Sequence, residues 1–96
     1  MSPKNKKKLE KIRKKLDKLD DDFLHLIKIR TNLVNQVIKL KEFKSEIVDI
    51  KRIKKILFNI RRKSLKKKID STVTKKVWKN MILTYINHER KNFKKK

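Results

Sequence analysis

The chain is 96 residues long with no cysteine, no glycine and a single proline, and its 32 basic against 10 acidic residues leave a formal net charge of +22 at pH 7. Without cysteine there can be no disulfide, thiolate metal site or cysteine nucleophile, and without glycine the β-hairpins that rely on Gly turns are disfavoured, so the fold class expected is all-α. The charge admits phosphate contacts, but only six of the basic residues are arginine, the side chain suited to bidentate phosphate and base contacts, and the 26 lysines lack the aromatic interleaving that single-strand platforms use.

In chain order, the first element expected is one long helix from about Lys6 to Phe43. Its apolar positions advance by alternating threes and fours through Leu9, Ile12, Leu16, Leu19, Phe23, Leu26, Leu33, Val37 and Leu40, which makes a helix seam. One slot of that seam is Arg30, and the flanking row Ile27, Val34 ends in Lys41. A second helix is expected from Asp49, a suitable N-cap, to about Leu65, with Ile53, Ile56, Leu57 and Ile60 on its apolar side. A third begins after "IDSTV", where Asp70, Ser71 or Thr72 can cap, and buries Val73, Val77, Trp78, Met81, Ile82, Tyr85 and Ile86. The basic ends, at about 1–6 and 92–96, are expected to fray around a single domain. No apolar run approaches the ~18 residues of a membrane span, and "MSPKNKKKLEK" lacks the apolar segment of a secretory signal, so a soluble cytoplasmic protein without a membrane partner is expected.

A helix of about 37 residues is roughly 55 Å long, whereas a compact domain of this size has a radius of gyration of only about 13 Å. The first helix must project beyond its own domain with its seam uncovered. A second copy of the chain is the simplest cover, so an intertwined homodimer is expected, with a plain coiled coil appended to a small bundle as the alternative.

A cation on such a seam needs an anion. Arg30 and Lys41 are eleven residues apart, three turns plus about 20° of rotation, so they project from nearly the same side and can close on one object. Arg13 shares the heptad row of Lys41 but lies in the projecting part of the helix, facing a partner subunit, and a site shared between chains follows. The competing account is that Arg30 pairs with an internal carboxylate, Asp49 or Glu89, or extends its head to water. His25 and His88 stand alone in the sequence and read as surface or packing residues; no metal site is expected.

The run "IRKKLDKLDDDFLHLIKIRTNLVNQVIKLK", then "IVDIKRI", then a third helix ending "MILTYINHE" resembles the all-helical class of chorismate mutase over roughly Leu9 to Glu89. The resemblance implies a domain-swapped homodimer of three-helix chains that converts chorismate to prephenate by a Claisen rearrangement, with no cofactor and no covalent intermediate. It implies that Arg13 of one chain reaches a substrate carboxylate in the other chain's site, that Arg30 clamps the second carboxylate, and that Lys41 donates to the ether oxygen and a carboxylate. Asp49 and Arg52 match the pair near the substrate hydroxyl, and Glu89 matches a glutamine or glutamate that faces the ether oxygen. Negative charge gathers on that oxygen as the C–O bond stretches, so donors fixed there favour the transition state over the ground state.

Two residues depart from the pattern. Ile53 follows Arg52 where many mutases carry a glutamate, and Tyr85 stands one turn before Glu89 where small hydroxyl residues are common. An apolar residue after the arginine, a tyrosine in the third helix and the spacing from Lys41 to Arg52 are also similar to the isochorismate-pyruvate lyases, which give salicylate and pyruvate. The mutase is the reading favoured, with the lyase as first alternative and a basic nucleic-acid-binding helical dimer as second.

Overall fold

A computed structural model describes residues 1–94, and Lys95 and Lys96 of the basic C-terminal tail lie outside the described residues. Three helices account for the fold: α1 (Pro3–Leu40), α2 (Ile50–Lys66) and α3 (Ser71–Asn92), with a single 3-10 turn (Lys44–Glu46) between the first two. The all-α class and the very long first helix are as the sequence predicts, but α1 is displaced three residues toward the N-terminus at both ends. At its start, Ser2 Oγ accepts the amide of Asn5 at 3.2 Å and Pro3 occupies the first helical position, where its missing N–H removes nothing the helix uses. At its end, the Glu46 carboxylate accepts the amides of Phe43 at 2.9 Å and Glu42 at 3.1 Å. Two donors that would continue the helical ladder are drawn into the turn instead.

The chain divides into two units, Met1–Leu33 and Val34–Lys96. In the first, the seam of α1 is exposed along its length, including Ile12, Leu16, Leu19, Phe23 and Leu26. In the second, α2 and α3 pack on each other. Ser64, only 3% exposed, ties them together: its hydroxyl donates to the Ile60 carbonyl at 2.6 Å and shares a 2.8 Å hydrogen bond with the Thr74 hydroxyl. Asp49 caps α2 as expected, accepting from the Arg52 amide at 3.0 Å, and Asp70 caps α3 through the Thr72 amide at 2.9 Å. Trp78, Met81, Ile82, Tyr85 and Ile86 are half-buried on α3, whereas Val73 and Val77, expected to be buried, are more than half exposed.

The α2–α3 turn has to be made without glycine. The Ile69 amide reaches back to the Ser64 carbonyl at 2.9 Å and the Lys68 amide to that of Leu65 at 3.2 Å, the paired bonds that end a helix when the residue after the cap is left-handed. That residue is Lys68, at φ 58°, where a Cβ costs about 1–2 kcal/mol. Lys68→Gly is therefore expected to raise stability by about 0.5–1 kcal/mol, the relief being partly offset by the greater freedom of glycine in the unfolded chain. Thermal unfolding followed by circular dichroism reads the shift, and an unchanged or lower Tm would contradict it.

Candidate functional site

Within the Val34–Lys96 unit the fold brings together two residues 48 positions apart. Lys41 is the first residue past α1, and its ammonium faces the carboxylate of Glu89 in α3, with Nζ 3.4 Å from Oε1 and 3.5 Å from Oε2. The Ile47 carbonyl lies 3.5 Å from the same nitrogen. The side chains are 17% and 9% exposed, so the carboxylate is held away from water and depends on the ammonium for its compensation. These separations exceed the ~2.7–2.9 Å of a tight charge-assisted hydrogen bond. An ammonium placed almost evenly between two oxygens and a carbonyl keeps its three donors distributed, and can turn one toward a further acceptor without losing the others.

The remaining residues singled out in the sequence fall into two sets. Asp49 and Arg52 stand together at the start of α2, both exposed, with the Asp49 side chain engaged in the cap that fixes the Arg52 backbone. Tyr85 is half-buried one turn before Glu89, and Ile53 is half-buried one residue after Arg52. Arg13 and Arg30 belong to the Met1–Leu33 unit, on α1, where Arg13 is exposed and Arg30 is half-buried with its Nε withdrawn from solvent.

Two features were not legible beforehand. The Ile47 carbonyl is a backbone group and leaves no signal in side-chain identity. His88, read as a surface or packing histidine, has its Nε2 2.8 Å from Asn35 Oδ1. Among the described residues no group of three or more His, Asp and Glu side chains is arranged to hold a metal ion, and no helix is long and apolar enough to cross a membrane.

Residues 12–90 match the family model described as chorismate mutase type II, a span that contains Arg13, Arg30, Lys41, Asp49, Arg52, Tyr85 and Glu89. No curated protein and no solved structure matches the chain.

Proposed function

Because the chain belongs to the chorismate mutase type II family, a family of isomerases, we propose that it rearranges chorismate to prephenate in aromatic amino-acid biosynthesis, in the cytoplasm and as a homodimer with shared sites. The observation that carries this reading is the Lys41–Glu89 pair, a half-buried ammonium and a buried carboxylate 3.4 Å apart. Lys41 directs a proton of its ammonium to the ether oxygen as that atom gains charge, and a donor of this kind typically contributes about 3–4 kcal/mol to the barrier reduction. Arg30 holds one substrate carboxylate and Arg13 of a second chain the other, so the flexible enolpyruvyl arm is kept over the ring in its reactive conformer. Asp49 and Arg52 meet the hydroxyl end, and Tyr85 lines the site beside Glu89.

Glu89 has two states with different uses. Ionised, it accepts from Lys41; carrying a proton, it donates to the ether oxygen beside Lys41. Only the second adds a donor where charge develops. Glu89→Gln, whose amide is a permanent donor, is therefore expected to keep kcat for chorismate within about tenfold of the parent, whereas Glu89→Ala, with no donor at that position, is expected to lose about 10²-fold or more. A folded Glu89→Ala variant as fast as the parent would remove Glu89 from the chemistry.

Ile53 favours a second reading. A half-buried isoleucine next to Arg52 offers no acceptor to the substrate hydroxyl, and on that ground the related lyase reaction on isochorismate is the alternative. Separate incubations with chorismate and isochorismate decide between them. Prephenate from chorismate supports the mutase, salicylate and pyruvate from isochorismate alone transfer the assignment to the lyase, and no product from either removes the enzymatic reading.

A further inference from the structure

Lys41 follows α1 and Glu89 lies on α3, so their meeting depends on how α3 is rotated against the end of α1. A side-chain hydrogen bond joins these segments beside the pair: His88 Nε2 to Asn35 Oδ1 at 2.8 Å. Asn35 precedes Lys41 by six residues, and His88 is the immediate neighbour of Glu89. The partners fix the tautomer. Asn92 Nδ2 is a donor only; it reaches the His88 carbonyl at 2.8 Å and lies 3.4 Å from His88 Nδ1. Nδ1 is therefore the acceptor, and the ring proton resides on Nε2 and is donated to Asn35. The Tyr85 ring meets the imidazole edge-on, with centroids 6.3 Å apart at 87°, which holds the plane of the ring.

We infer that Asn35, His88 and Asn92 form a clasp that positions the Lys41–Glu89 pair, an inference that rests on the reading of that pair given above. Successive side chains on a helix diverge by about 100°. Pinning His88 to Asn35 thus sets the direction in which Glu89 leaves α3. Apolar packing at the same place would hold the helices together but would leave their mutual rotation soft. Lysine, with four flexible methylenes, would follow a wandering carboxylate only in part, so the ion pair would loosen and the donor it presents would drift. A displacement of about 1 Å in a reacting geometry costs on the order of a hundredfold in rate, and partial loss of restraint costs less.

The test uses the full chain with His88→Phe, Asn35→Leu, their double variant, and His88→Gln, whose amide N–H reaches as far as Nε2. The two single losses are expected to lower kcat for chorismate by about tenfold with KM within about twofold, because the transition-state donor moves while the carboxylate clamps do not. The double variant is expected to be no slower than either single, since both break the same bond. His88→Gln is expected to restore kcat to within about threefold of the parent. Parent-like kcat in the loss variants with a lowered Tm would overturn the positioning role, as would a His88→Gln variant as slow as His88→Phe. Should the parent chain turn over neither substrate, the catalytic reading of the pair fails by itself, and the Glu89 side-chain carboxyl 13C resonance still decides the clasp. Lys41→Met is expected to displace that resonance less in an Asn35→Leu background than in the parent, and equal displacement in the two would overturn the clasp.

Discussion

Arg30→Ala is expected to abolish turnover of chorismate in practice, with kcat/KM reduced by about 3–5 kcal/mol of transition-state binding, on the order of 10² to 10⁴ in rate. The substrate carboxylate would enter a site of reduced dielectric without its counter-charge, and no lysine can reproduce the planar fork of a guanidinium. The α2–α3 packing, the caps at Asp49 and Asp70 and the Ser64–Thr74 hydrogen bond lie elsewhere in the chain, so helicity and association should survive. That separation makes the loss interpretable. Mixing the inactive chain with an inactive Arg13→Ala chain extends the test: if each site takes Arg13 from one subunit and Arg30 from the other, random heterodimers carry one intact site and restore about a quarter of the parent activity. Failure to recover activity, with subunit exchange confirmed by mass, would place both arginines in the same chain's site or outside any site.

Replacing Lys41 is expected to harm both chemistry and stability, in a way that can be divided. Lys41→Met removes the donor proposed for the ether oxygen and should lower kcat by about 10²–10³. It also leaves the Glu89 carboxylate, with a side chain only 9% exposed, without its ammonium, which should cost about 1–3 kcal/mol of stability, a value below that for a fully buried pair because Lys41 keeps some access to water. Adding Glu89→Gln neutralises the stranded charge. The double variant is therefore expected to regain most of the lost stability but only a small part of the lost turnover, because the Gln amide replaces the Glu89 donor and not that of Lys41, and equal recovery of both would mean that the kinetic defect of Lys41→Met was only unfolding. Denaturant titration and saturating-substrate kinetics on the same preparations supply the two readings.

Much of this could be read from the sequence because the information is local. The threes and fours of Leu9 to Leu40 announce a helix wherever the chain puts it, and Asp49 and Asp70 cap through bonds that span two or three residues. The ends of α1 were misplaced for an equally local reason that composition hid: a lysine-rich start suggested fraying, while the Ser2–Pro3 dipeptide preceding it was a sufficient start signal. Glu46 stops the helix by a side-chain choice among several available carboxylates, which periodicity does not encode. Helical spacing marked Lys41, whereas the role of Glu89 came from likeness to a family, and the residues themselves left Asp49 and Glu89 as candidates to pair with Arg30; the ion pair of Glu89 is with Lys41. The Asn35–His88 bond joins residues 53 positions apart, and nothing in either neighbourhood points to the other. The exposure of Val73 and Val77 has the same root, because an apolar period marks a face but not the surface that covers it.

The described residues of the chain bury only two aliphatic side chains nearly completely, Ile38 at 7% and Ile47 at 3% exposure. So small an interior offsets little of the conformational entropy of ordering more than ninety residues, which runs at about 1–2 kcal/mol each for the backbone alone. If a second copy supplies the missing burial, folding becomes a bimolecular event and the folded fraction is set by mass action. Specific activity would then fall on dilution with no change in any residue, and the amount of the protein made, as much as its sequence, would determine how much of it is folded.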